Sequence, residues 1–344
     1  MYINAVRGYA ILGVILVHVQ KIVQPENIYL KRLADNGKYG VQLFYIASAF
    51  TLFLSSAIRK EQTSKKFFLR RFFRIAPIYY IAIAAYLFIF IDASNSLNVN
   101  LRNCVDNHIS FLDFLSNITF LSSIHPNWAG SIVPGGITIS VEVIFYLIFP
   151  VLFNKMTNLD TAVKLFILSI FLSFAVKILL NNFLIIDCER LKDIFFYNNI
   201  FNQFPVFLLG VISYFIIINK DFKLKSNTIF LLFTLVFIYS TWNIIITKFH
   251  IVSFSGLLFL FLLSKTRSKL LLNKIISLIG RVSYSAYLIH FIVIYYLNVF
   301  ILKNNVELNF VSVYLFTVLI TIIISYISHI LIEKPFIRLG KKFT

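Results

Sequence analysis

Ten apolar runs of about 16 to 22 residues, separated by charged and turn residues, constrain this chain more than any motif does. Their limits are 3–23, 40–58, 75–92, 138–154, 163–181, 204–219, 227–246, 250–264, 282–301 and 310–331. In hydrocarbon, backbone N–H and C=O groups must be satisfied within the protein, so runs of this length resolve as helices. The expectation is an all-α polytopic membrane protein with about ten transmembrane helices, forming one integral-membrane domain over residues 1–344. Composition agrees. Of 344 residues, 59% are hydrophobic and only 13% charged, against about 25% charged in an average soluble domain.

Charge orients the runs. A net charge of +18 would suggest nucleic acid in a soluble protein. Here the basic residues sit in short loops, so they read as topology determinants, and no nucleic-acid partner is expected. With the N-terminus inside, the inner segments carry 21 Lys and Arg and the outer ones nine. Both termini are therefore expected to be cytoplasmic. Arg7 interrupts the first run, which lacks a basic leader and a small-residue cleavage site, so it reads as a retained span. No internal repeat stands out, which gives an inverted-repeat transporter little support.

Residues 109–124 are apolar but contain Asp113 and Asn117. Had they spanned, the downstream topology would invert and put 14 basic residues outside against four inside. They read instead as an amphipathic outer-face or re-entrant helix. It belongs to an extracytoplasmic loop region of about 93–137, the natural place for a lid or acceptor-side element. Cys104 and Cys188 both fall in outer loops; a bond between them and two free thiols are equally consistent with the sequence.

The first run holds Arg7 and His18, eleven positions apart. That is about three helical turns, so both side chains share one face some 16 Å apart. Ionisable groups in a span usually face a bundle interior or a water-filled cavity. Glu142 lies at a depth similar to that of His18. Such a pair would orient an imidazole for general-base work, or simply fix helix packing. Glu333 lies at the depth of Arg7 and either neutralises it or ends the tenth span; His329 shares the face of Glu333. Arg70, Arg71 and Arg74 alternate with phenylalanines before the third span, where Pro77 fits the first turn. Arg71 and Arg74 can grip a phosphate together, or hold topology on an anionic leaflet. His290, near the middle of the ninth span, reads as a buried histidine bonded to a neighbouring helix. No CxxC, HExxH or histidine cluster suggests a metal, and GxSxG, the P-loop motif and GxGxxG are absent.

Several stretches, in order, resemble the membrane acyltransferase-3 family, which includes the O-acetyltransferases of bacterial surface polysaccharides. Arg7-x10-His18 is similar to its arginine–histidine signature. Gly40-Val-Gln-Leu-Phe-Tyr-Ile-Ala-Ser-Ala-Phe50 resembles its second-helix segment, and Arg71-Phe-Phe-Arg74-Ile-Ala-Pro77 its R-x-x-R-I-x-P loop. Ser140-Val-Glu142 with Phe145-Tyr146 and Pro150, Phe204-Pro-Val-Phe-Leu-Leu-Gly210, Gly280-x-x-Ser283-Tyr284-x-x-Tyr287-Leu-x-His290 and Glu333-Lys-Pro335 complete the set. The chain departs from the pattern at Asn4 and Gln42, which replace acids, and at Ala49, Ile137, Val143 and Ile144.

The resemblance implies an enzyme of the bacterial cytoplasmic (inner) membrane. It would move an acyl group, most often acetyl, from cytosolic acyl-CoA to a sugar hydroxyl of an O-antigen, capsule, exopolysaccharide or glycolipid. Acetyl-CoA would be a co-substrate, with no metal. His18 would act as general base or transient acyl acceptor, oriented by Glu142. Arg7 would stabilise donor or oxyanion charge with Glu333 as partner. Arg70, Arg71 and Arg74 would hold the CoA phosphates. The alternative class is a transporter or flippase of a lipid-linked saccharide or small anion, in which the same charges line a pathway; a third is a structural partner in polysaccharide assembly.

Overall fold

The computed structural model describes residues 2–59, 63–96, 109–129, 131–184, 188–220, 223–229, 232, 248–266 and 268–344. The regular elements among these residues are all helical, with no strand among them. The longer helices are α1 (Tyr2–Val19), α2 (Ile28–Asn36), α3 (Gly40–Ile58), α4 (Ser64–Ser96), α5 (Phe111–Ile118), α6 (Gly136–Lys155), α7 (Leu159–Phe183), α8 (Glu189–Asn198) and α9 (Ile200–Tyr214). After them come α10 (Lys248–Lys265), α11 (Lys274–Arg281), α12 (Ser283–Asn304), α13 (Phe310–Ser328) and α14 (Lys334–Lys342).

Eight helical stretches among the described residues are long and apolar enough to cross a membrane, and each carries one expected run. The run at 250–264 forms a shorter apolar helix, Val252–Lys265. Most of the run at 227–246 lies outside the described residues, as do residues 97–108 of the outer loop. The chain is a multi-pass membrane protein.

α1 is central: α3, α10, α11, α12 and α13 all pack on it. Small residues make this possible, because helices within lipid associate through close packing rather than by escaping water. At Gly280 of α11 a Cβ would stand 1.7 Å from the Asn4 carbonyl oxygen. Only glycine lets α11 lie so close against α1. Gly210 does the same for α9, where a Cβ would meet the Ile46 carbonyl of α3 at 2.3 Å.

One element differs from the sequence reading. α4 extends back to Ser64, so Pro77 lies inside a 33-residue helix rather than in its first turn. At 1.5 Å per residue that helix is about 50 Å long. Its opening turns, with the three arginines, project beyond the apolar stretch. Residues 109–124 contain an eight-residue helix, α5, closed by a Ser110–Asp113 capping box. About 12 Å of helix is too short to cross a bilayer. Its polar residues Asp113, Ser116 and Asn117 are buried while Phe111, Leu112, Phe114 and Leu115 are exposed. Its amphipathicity is thus inverted, with the apolar side outward.

Cys188 is disulfide-bonded. Cys104, the other cysteine in the sequence, lies outside the described residues.

Candidate active site

Beside the Arg7 end of α1 lies a cleft enclosing about 780 Å³, open solvent included, between α1, α3, α4, α6, α12 and the turn joining α13 to α14. α1 contributes Arg7, and α4 contributes Arg71 and Arg74, which lie i,i+3 and so share a face. Arg281, at the end of α11, is the fourth arginine of the lining. Against these four cations stand two carboxylates, Glu142 of α6 and Glu333. The cleft carries an excess of positive charge over its own acids.

Each acid is held by hydroxyls or an imidazole. Glu142 Oε1 accepts from Ser48 Oγ at 2.5 Å and from Tyr146 OH at 2.5 Å. Tyr146 follows Glu142 by four residues, so the helix stacks them on one face. Glu333 accepts from Ser285 Oγ and, through Oε2, from His329 Nδ1 at 2.8 Å. His329–Glu333 forms a single π-helical turn continuing α13 into α14. Such turns re-aim side chains and recur at functional sites.

The arginines are less fully satisfied. Arg7 Nη2 donates to Thr51 Oγ1 at 3.4 Å. The Arg71 guanidinium lies 5.7 Å from the centroids of both the Phe67 and Tyr146 rings, within cation–π range. Its Nε is buried and has no hydrogen-bond partner. A buried guanidinium donor left open costs free energy unless something occupies it, and an anion is its natural complement.

The structure therefore brings together Arg7, Arg71, Arg74, Glu142 and Glu333. Two expected pairings do not form. Arg7 and Glu333 line one cleft but make no ion pair; Glu333 instead accepts from Ser285 and His329. Glu142 does not orient His18. It lies in the cleft of Arg7, where four arginines and the hydroxyls of Ser48 and Tyr146 offset the cost of burying a carboxylate. Similar depth was too weak a constraint, since it leaves open which way each helix face points. Arg70 is not among the lining residues.

His18 lies outside the cleft, with its ring centroid 4.4 Å from that of Phe291 and 5.4 Å from that of His290. Tyr287 links the two regions. It lines the cleft, its hydroxyl shares a hydrogen bond with Thr138 Oγ1 at 2.5 Å, and its ring centroid is 5.7 Å from that of His290.

The motifs contain Ser48, Tyr146 and Tyr287 but assign them no role, and Arg281 occupies an unspecified position of one. Tyr146 carried a usable signal, the i,i+4 spacing from Glu142. Arg281 was counted only as a topology residue. Gln42 donates to Tyr197 OH at 2.8 Å and lies outside the cleft lining, so it serves a helix contact. No group of three or more His, Cys, Asp or Glu that could hold a metal occurs among the described residues.

A family model described as an acyltransferase domain matches residues 2–330. The chain is 24% identical over 369 residues to O-acetyltransferase OatA of Staphylococcus aureus strain NCTC 8325 / PS 47, and equally to those of strains COL and MRSA252. Each alignment covers 99% of this chain and 57% of the relative, so the chain spans little more than half the length of those proteins. No solved structure matches the chain. With the model covering nearly all of it, the chain belongs to the membrane acyltransferase-3 family.

Proposed function

We propose that this protein is an O-acyltransferase that moves an acyl group, acetyl above all, from cytosolic acyl-CoA to a sugar hydroxyl of a surface or exported polysaccharide. The observation that carries this reading is the arginine cleft, with its cationic excess and the open, buried Nε of Arg71. Arg71 and Arg74 grip the CoA phosphates, since a guanidinium fork matches phosphate oxygens. Arg281, exposed at the rim, adds a further contact. Both termini lie in the cytosol, so the cleft opens to the donor's compartment, in a bacterial inner membrane.

The pantetheine arm then extends along α1 from Arg7 toward His18, a rise of about 16 Å. The acceptor approaches from the opposite side. A sugar hydroxyl is a poor nucleophile near neutral pH and needs a base. His18 takes its proton as the hydroxyl oxygen bonds to the thioester carbon. The carbon–sulfur bond breaks, and the leaving thiolate is reprotonated from His18. Arg7 helps neutralise charge on the bound donor, and Glu142, fixed by Ser48 and Tyr146, holds the arginine array in place.

The test uses membrane vesicles given acetyl-CoA labelled in its acetyl group, with alkali-labile label in polysaccharide as the readout. Wild-type vesicles should incorporate label and His18→Ala vesicles should not, at equal protein level. Full incorporation by His18→Ala would remove His18 from the chemistry. Absence of label in wild type, with substrate transported instead, would favour the transporter class.

A further inference from the structure

Once Glu142 is committed to Ser48 and Tyr146, His18 needs another group to set its tautomer. His290 fits that need. It is fully buried on α12, and its Nδ1 lies 3.1 Å from the Ala286 carbonyl oxygen. A carbonyl only accepts, so Nδ1 carries the proton and donates. In the neutral ring, Nε2 is then a bare acceptor. That Nε2 is buried and has no hydrogen-bond partner. An unpaired acceptor in a low-dielectric site is costly, so a donor in reach has much to gain.

The nearest titratable ring is His18, 5.4 Å away between centroids. At that separation, rotation of the rings can bring two nitrogens to hydrogen-bonding distance. Phe291 packs against both imidazoles, at 4.4 Å from His18 and 4.1 Å from His290, and restricts where they turn. The two rings are also placed by different elements, α1 and α12, which pack directly together.

We propose that His290 is a positioning residue for His18. Its Nε2 accepts the N–H of one His18 nitrogen and leaves the other His18 nitrogen bare toward the reacting hydroxyl. When His18 takes the acceptor's proton, His290 holds the resulting imidazolium by the same hydrogen bond. No covalent change occurs at His290. This rests on the acyl-transfer reading of His18 given above.

The test compares His290→Gln with His290→Met in the vesicle assay, alongside acetyl-CoA binding to the purified proteins. The two side chains are similar in size, but only glutamine offers an oxygen that can accept the His18 proton. His290→Met should lose about 10- to 100-fold in transfer rate, part of what a full general base contributes. His290→Gln should retain at least about fivefold more rate than His290→Met, and both should bind acetyl-CoA like wild type. Equal rates for the two variants at equal folded fraction, or His290→Met within twofold of wild type, would overturn the proposal. A His18→Ala variant that loses transfer while His290→Met keeps it would sink this inference and leave the acyl-transfer reading intact. A wild type that incorporates no label would sink the acyl-transfer reading itself.

Discussion

The two ends of α1 solve the cost of burying polar groups in opposite ways. Around Arg7, charged and hydroxyl-bearing side chains line the cleft beside apolar ones such as Val41, Phe44 and Ile75, and cations exceed acids, which leaves a net positive site. Around His18 the neighbours are rings: an imidazole, a phenylalanine and, one contact further, Tyr287. Imidazoles can stay neutral there and exchange protons, which arginines cannot. The difference sets a charged, hydroxyl-rich end against an aromatic one along one helix. Under the proposed function, affinity would belong to one end and rate to the other.

That division is breakable by mutation. The largest effect is expected for His18→Ala, which should lower transfer by at least about 100-fold while acetyl-CoA affinity, measured by calorimetry in detergent, stays within twofold of wild type. Parallel losses of rate and affinity would merge the two ends into one site. Arg71→Ala should produce the opposite pattern, weakening acetyl-CoA binding about 10- to 100-fold, as expected for losing a buried charge-assisted contact. Unchanged affinity would return that arginine to a topological role. Arg281→Ala should weaken binding only about two- to fivefold, because an exposed cation is screened by water and salt, and the loss should shrink as salt rises. Arg70→Ala should change affinity by less than about twofold, since it does not line the cleft. A loss as large as that of Arg71→Ala would show that the phosphates sit on another face of α4.

Much of this was readable from residue order. Apolar run length set eight of the spans, and the polar residues Asp113 and Asn117 kept residues 109–124 from being read as another. The motifs also put Arg7, Arg71, Arg74 and Glu333 on the inner side, where they share one cleft, but they set Glu142 beside His18 and not in that cleft. The pairings did not follow from the motifs. Depth along a span constrains one coordinate, whereas hydrogen bonding depends on which face each helix turns toward its neighbour. Ser48 and Ser285 look like ordinary small residues in apolar runs, yet they are what hold the two acids. The backward extension of α4 was hidden by Pro77, which reads as a helix start because its missing N–H is harmless there.

The central claim is that the arginine cleft recognises the phosphates of the donor. The most direct measurement compares the affinity of the purified protein for acetyl-CoA with that for acetyl-pantetheine, which carries the same thioester without the nucleotide phosphates. Acetyl-CoA should bind at least about 100-fold more tightly to wild type, as two or more charge-assisted contacts require, and the gap should collapse in the Arg71→Ala, Arg74→Ala double variant. Equal affinity of wild type for the two compounds would contradict the account.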